Sequence, residues 1–144
     1  METVATKTNT GIVQQCYADF ASGNIEGLLN SLQDDIVWVD PGHVGNVYKG
    51  TRKGKSQVLD FFKNLSAEVN ITRFDVLNIS ECGDKVYVEG YLESNGIKSG
   101  LPASSDWLMV WQLQNGKVKY HHLYLDTSAL ALALLNKANS NIEN

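Results

Sequence analysis

The chain has 144 residues, the size of one ordinary domain, with 43% hydrophobic residues and only two prolines. That composition excludes intrinsic disorder, and no run of about 18 apolar residues is present to cross a membrane. A net charge of −4 argues against nucleic acid as a partner, because such binding rests on neutralising phosphates.

The first ten residues are polar and carry no apolar signal core, so the expected location is cytoplasmic. Asn9 and Thr10 are candidate caps for a helix over 11–22, where Ile12, Val13, Cys16, Tyr17 and Phe20 recur at helical spacing. Gly23 stops it. Asn24 caps a shorter helix that runs to Leu32, with Ile25, Leu28 and Leu29 on its apolar face. Residues 35–40 are β-branched and aromatic, which predicts a strand ended by Pro41-Gly42. A glycine-bearing loop leads to Gly50. A third helix follows over 55–65, turning Val58, Phe61, Phe62 and Leu65 inward.

From Val69 onward the apolar period changes to two. Strands are expected over 69–80, 85–93, 104–113 and 117–126, divided by Gly83-Asp84, Asn95-Gly96 and Asn115-Gly116. Asp126 then caps a last helical stretch over 127–136. Helices first and antiparallel strands afterwards indicate a single α+β domain with a core over about 9–136 and frayed polar tails. Cys16 and Cys82 stand far apart with no close pair, so neither a disulfide nor a thiolate metal site is expected. Each reads as a small, half-buried apolar residue.

The last hairpin predicts which residues share a face. A two-residue turn at Asn115-Gly116 pairs Trp111 with Tyr120, Met109 with His122 and Trp107 with Tyr124. The opposite face then carries Val110 with His121, Leu108 with Leu123 and Asp106 with Leu125. The first face is an aromatic plate with the composition of an interface core, which predicts a homodimer. The alternative is that the C-terminal helix folds back over it.

Asp40 ends a strand face that it shares with Ile36 and Trp38. A carboxylate beside tryptophan on an apolar face has its pKa raised by desolvation, as a general base needs. An aspartate opening an Asp-Pro-Gly turn that only bonds its neighbours reads the residue equally well. Asp106 and His121 share a face on the expected register but stand about 13 Å apart, too far for a catalytic dyad. His121 also reads as a core histidine.

His121 and His122 point to opposite faces and cannot readily share an ion, so no metal is expected. Gly54-Lys55-Ser56 lacks the first glycine of a phosphate loop, whose place Lys49 takes. Arg52, Lys53 and Lys55 form a small cationic cluster that reads first as a solvated face and second as an anion contact at a pocket mouth.

The segments VQQCYADFASGNIEGLLNSLQDDIVWVDPG, VYKG, VLDFFKNL, QNGKV and LYLDTSALA together resemble the SnoaL-like polyketide cyclases. That group is related to ketosteroid isomerase within the nuclear transport factor 2-like superfamily. The resemblance implies a cone, or cystatin-like α+β roll: a curved antiparallel sheet wrapped around N-terminal helices, with an apolar pocket at its open end. It also implies homodimerisation through the outer sheet face, here Trp107, Met109, Trp111, Tyr120, His122 and Tyr124.

Carried over by position, Asp40 falls where ketosteroid isomerase has its catalytic base, and Asp106 falls near the oxyanion-hole acid. His121, Leu123 and Leu125 then point into the pocket. The isomerase's hydrogen-bonding tyrosine falls on Cys16, one residue before Tyr17, which argues against true ketosteroid isomerase activity. The charged set of the epoxide hydrolases is unmatched, with Ser104 and Leu123 at two of its places. The expected ligand is a small apolar or carbonyl-containing molecule, with Asp40 as general acid or base and His121 and Asp106 assisting. Phe20, Trp38, Tyr48, Phe62, Leu108 and Val110 shape the expected pocket, and no cofactor is implied. A ligand carrier with the same pocket, or a protein-interaction module, are the competing readings.

Overall fold

The computed structural model describes residues 7–135. Helices α1 (Asn9–Ser22) and α2 (Ile25–Asn30) come first, followed by strands β1 (Leu32–Val39) and β2 (Thr51–Lys53). Helix α3 (Lys55–Glu68) precedes four long strands, β3 (Val69–Cys82), β4 (Lys85–Gly96), β5 (Ser105–Gln114) and β6 (Lys117–Leu125). Helix α4 (Thr127–Leu135) closes the described chain. The polar tails expected on either side lie outside the described residues.

The capping chemistry sets the early elements. Thr8, one residue before the expected candidates, caps α1 by accepting from the Gly11 N–H at 3.0 Å. Gly23 ends α1 in the left-handed conformation (φ 77°), which costs glycine little and lets its N–H reach the carbonyls of Asp19 and Phe20. Asn24 caps α2 by accepting from Gly27 N. Leu32 belongs to β1 and not to the second helix, because α2 ends after six residues.

The six strands form one curved, unclosed sheet in the order β2-β1-β6-β5-β4-β3. All neighbours are antiparallel except β1 and β6, which run parallel. Helices α1 and α3 pack inside the curve. Val13, Cys16, Val58, Phe61 and Phe62 are buried there against Ile36, Val86, Val88 and Val118 of the sheet. Cys16 is buried while Cys82 is exposed, and both are free thiols. Among the described residues, no helix is long and apolar enough to cross a membrane.

One extra residue reverses half of the expected hairpin. The turn forms as expected, with Gln114 opposite Lys117 and Leu113 opposite Val118, and Asn115 and Gly116 both at positive φ. The register then shifts, so that Gln112 lies opposite Tyr120 and Lys119 is the extra residue of a bulge. From there on Trp111 pairs with His121, Met109 with Leu123 and Trp107 with Leu125. Trp107, Met109 and Trp111 therefore face the helices and are not part of an outer plate. Leu108, Val110 and Asp106 take the outer face with Tyr120, His122 and Tyr124. Helix α4 does not fold over that face. Its Ala133 carbonyl accepts from Ser99 Oγ at 2.8 Å, which seats it against the turn after β4.

Candidate functional site

One row of inward side chains crosses the sheet. Arg52 on β2 lies opposite Trp38 on β1, Trp38 opposite His121 on β6, and His121 opposite Trp111 on β5. Residues in register share a face, so these side chains meet. His121 is consequently held between two indoles. It stacks on Trp38 with ring centroids 3.8 Å apart, and meets Trp111 edge-on at 4.4 Å. It is 1% exposed, and neither ring nitrogen has a hydrogen-bond partner among the described residues. Burial pulls its pKa from 6.5 down to about 3, so the imidazole is neutral near pH 7.

A cavity of about 60 Å³ opens between this row and the helices. Cys16, Tyr17 and Phe20 line it from α1, and Phe61 and Phe62 from α3. Tyr17 is fixed by two contacts: Trp111 Nε1 donates to its hydroxyl at 2.9 Å, and that hydroxyl donates to Met109 Sδ at 3.2 Å. Burial raises the pKa of Tyr17 and pushes the Cys16 thiol up to about 11, so both stay protonated. The Trp38 Nε1 donor is buried without a partner among the described residues.

Asp40 follows β1 on the same face as Trp38 and is 3% exposed. Its Oδ2 accepts from Arg52 Nη1 at 2.7 Å, while its Oδ1 has no partner among the described residues. Arg52 also donates to the carbonyls of Val47 and Asn46, at 2.8 and 3.2 Å, and lies over the Phe61 ring. The same Asn46-Val47 segment is held from its other side by Glu68, whose carboxylate accepts both N–H groups. This double clamp fixes the loop that carries Tyr48 into the cavity wall. Burial drives the Asp40 carboxyl up to about 7, against the pull of Arg52. Tyr48 is raised as well, by burial first and then by the charges of Asp40 and Glu68.

A model of the SnoaL-like domain matches residues 13–121, which is most of the chain. The chain belongs to the SnoaL-like domain family. Its fold is shared with an NTF2-like protein from Burkholderia xenovorans LB400, at 26% identity over 90% of this chain and 99% of that one, with a TM-score of 0.80. TerC, co-crystallised with polyporic acid, is 27% identical over 89% of this chain and 98% of that one, with a TM-score of 0.76. A ketosteroid isomerase-like fold from Catenulispora acidiphila, in complex with trimethylamine, is 16% identical over 88% and 94% of the two chains, with a TM-score of 0.72. No curated protein matched the chain.

Within this SnoaL-like cone, nine of the expected residues line the cavity. They are His121, Leu123 and Leu125 of β6, Trp38 and Tyr48, and Cys16, Tyr17, Phe20 and Phe62 of the helices. Asp40 stands next to the cavity lining and is not part of it. Asp106, Leu108 and Val110 do not belong to the site, because the bulge at Lys119 places them on the outer face. Asp106 is exposed there. Met109 and Trp111 replace them in the lining. Arg52 is buried and not part of a solvated cluster. On a strand of only three residues, it has no period that would signal its burial. Among the described residues, no three His, Cys, Asp or Glu side chains converge as metal ligands would.

Proposed function

We propose that this SnoaL-like chain binds a small, largely apolar molecule inside the cone and uses Asp40 as a general acid or base on it. The observation that carries the reading is the state of the Asp40 carboxylate. One oxygen is anchored by Arg52 at 2.7 Å, and the other is buried with no partner. Anchoring fixes the orientation of the carboxyl, burial brings its pKa to about 7, and the unpartnered Oδ1 is the atom free to exchange a proton. His121 assists as a neutral imidazole, able to donate to a carbonyl oxygen without carrying charge. The family's fold relatives include isomerases and cyclases, reactions in which a proton moves beside a carbonyl.

A substrate-independent test is deuterium exchange at the carbons flanking the carbonyl of cyclopentanone, followed by NMR. The wild-type protein should accelerate exchange over buffer near neutral pH, and Asp40→Asn should not. Equal exchange with both proteins contradicts the role of Asp40.

A second reading, a ligand carrier, draws on one specific observation: Asp40 stands behind the cavity wall and not in it. In that case the same cavity binds cyclopentanone but the wild-type protein leaves its exchange rate at the buffer level. For the partner, the reading is a homodimer through the outer face of β5 and β6. Leu108, Val110, Tyr120 and His122 are half-buried there and Tyr124 is 48% exposed, an apolar surface with polar tips.

A further inference from the structure

Two residues of the cavity lining carry three buried polar atoms that have no partner among the described residues: Trp38 Nε1 and the two ring nitrogens of His121. A buried polar group without a hydrogen bond is a standing cost to the fold, and native structures hold few of them. Here they belong to residues that face each other across the parallel β1–β6 pair. Ring planes 18° apart cannot hydrogen-bond each other, because an N–H lies in the plane of its own ring. The two rings therefore direct their donors out of the stack, and the cavity that both of them line is otherwise walled by apolar side chains together with the Cys16 thiol, Tyr17 and Tyr48. An indole offers one donor, and a neutral imidazole offers one donor and one acceptor.

The charges around the cavity narrow the occupant further. The buried cation Arg52 is already committed to Asp40 and to two backbone carbonyls. A carboxylate ligand would thus find no counter-ion and would meet the Asp40 charge. An ammonium ion would find aromatic faces and the imidazole's one acceptor, but it would leave the Trp38 donor with nothing to accept its proton. An uncharged oxygen satisfies the donors. On size, about 60 Å³ corresponds to roughly four to six water-sized positions, and so to a ring of about six non-hydrogen atoms.

We propose that the cavity selects a compact, uncharged ring bearing one carbonyl or hydroxyl oxygen, and that Trp38 Nε1 and His121 are the specificity-determining groups that bind this oxygen. This inference rests on the reading of the cavity as a ligand site, and it names the ligand class and the residues that recognise it. It is independent of any proton transfer by Asp40.

The test uses the full chain and four probes: cyclopentanone, benzene, tetramethylammonium and polyporic acid. Binding is measured by ligand-observed NMR and by quenching of tryptophan fluorescence. Cyclopentanone and benzene have the same number of non-hydrogen atoms, so their difference isolates the oxygen. The wild type should prefer cyclopentanone, and Trp38→Phe and His121→Phe should each weaken it about tenfold. Both variants keep an aromatic ring in place. Benzene binding should be unchanged or tighter in each, and each variant should resist urea at least as well as the wild type, since an unpartnered polar group has been removed.

A merely structural role for either residue would weaken both probes alike and lower urea resistance, which would overturn the inference. So would tighter binding of tetramethylammonium, or of polyporic acid, than of cyclopentanone. Equal binding of benzene and cyclopentanone to the wild type rejects the inference while the ligand site stands. If no probe binds, the ligand-site reading falls and the inference falls with it. Should one variant fail to fold, the ratio of the two probes in the other decides.

Discussion

Trp38 and His121 stack at 3.8 Å because β1 runs parallel to β6 and brings the two residues into register. Neither belongs to the other's hairpin, and 83 residues of chain separate them. The contact ties the first strand of the domain to the last. It also extends a row from Arg52 to Trp111, so one crossing line of side chains holds the ion pair, the imidazole and the cavity wall.

The ion pair behind that row should be costly to break singly and cheaper to remove whole. Arg52→Met leaves Asp40 buried without its partner and frees the carbonyls of Asn46 and Val47, an expected loss of about 3–5 kcal/mol. Adding Asp40→Leu should recover part of that loss. Urea unfolding of the two single variants and the double variant measures the coupling. Additive losses would show that the two side chains stabilise the fold independently.

Opposed titrations should flatten the pH dependence of stability. Between about 3.8 and 7 the unfolded chain has lost the Asp40 proton that the folded chain keeps, so this group makes stability fall as pH rises. Between about 3 and 6.5 the unfolded chain holds a His121 proton that the folded chain excludes, so this group makes stability rise with pH. The two effects cancel over their common range. His121→Phe should unmask a falling slope of about one proton from pH 4 to pH 7, and Asp40→Asn a rising slope up to about pH 6.5. Unfolding curves across that range check the sign. Two parallel profiles would mean that the groups are not buried as described.

Gly90 has a packing reason. A Cβ at this position of β4 would collide with Trp107 Cζ2 and with the carbonyl oxygen of Asp75 on β3. Trp107 is stacked on Phe74 at 4.9 Å and on Tyr17 at 5.8 Å, so it has little room to withdraw. Gly90→Ala should lower stability by about 1–3 kcal/mol, measured by urea unfolding. A neutral substitution would show that the indole moves freely.

The register of the last hairpin decides which substitution can test the dimer. Trp111 is buried, so Trp111→Glu should disrupt the core whatever the oligomeric state. Val110→Glu lies on the outer face and should give folded monomers by sedimentation velocity. A wild type that sediments as a monomer, or a Val110→Glu variant that stays dimeric, rejects the outer face as the interface.

Local chemistry made much of this legible in the sequence. Helix periodicity, the Gly23 stop and the Asn115-Gly116 turn mark elements through interactions a few residues long. Strand alternation gives the face of Asp40, and the resemblance is what separates a general base from a turn opener there. The site's other half depended on longer-range facts. One bulge residue, Lys119, inverted the faces of β5, moving Met109 and Trp111 in and Asp106, Leu108 and Val110 out. Arg52 sits on a strand of three residues, too short to show a period, so its burial beside Asp40 was hidden among the lysines. The parallel β1–β6 pair that joins Trp38 to His121 leaves no local pattern at all.

The most direct measurement is a crystal structure of the protein soaked with cyclopentanone. The ring should lie inside the cone with its oxygen within hydrogen-bond reach of Trp38 Nε1 and a ring nitrogen of His121. Cyclopentanone bound only outside the cone, or seated in it with its oxygen turned away from both groups, would contradict this role for the two residues.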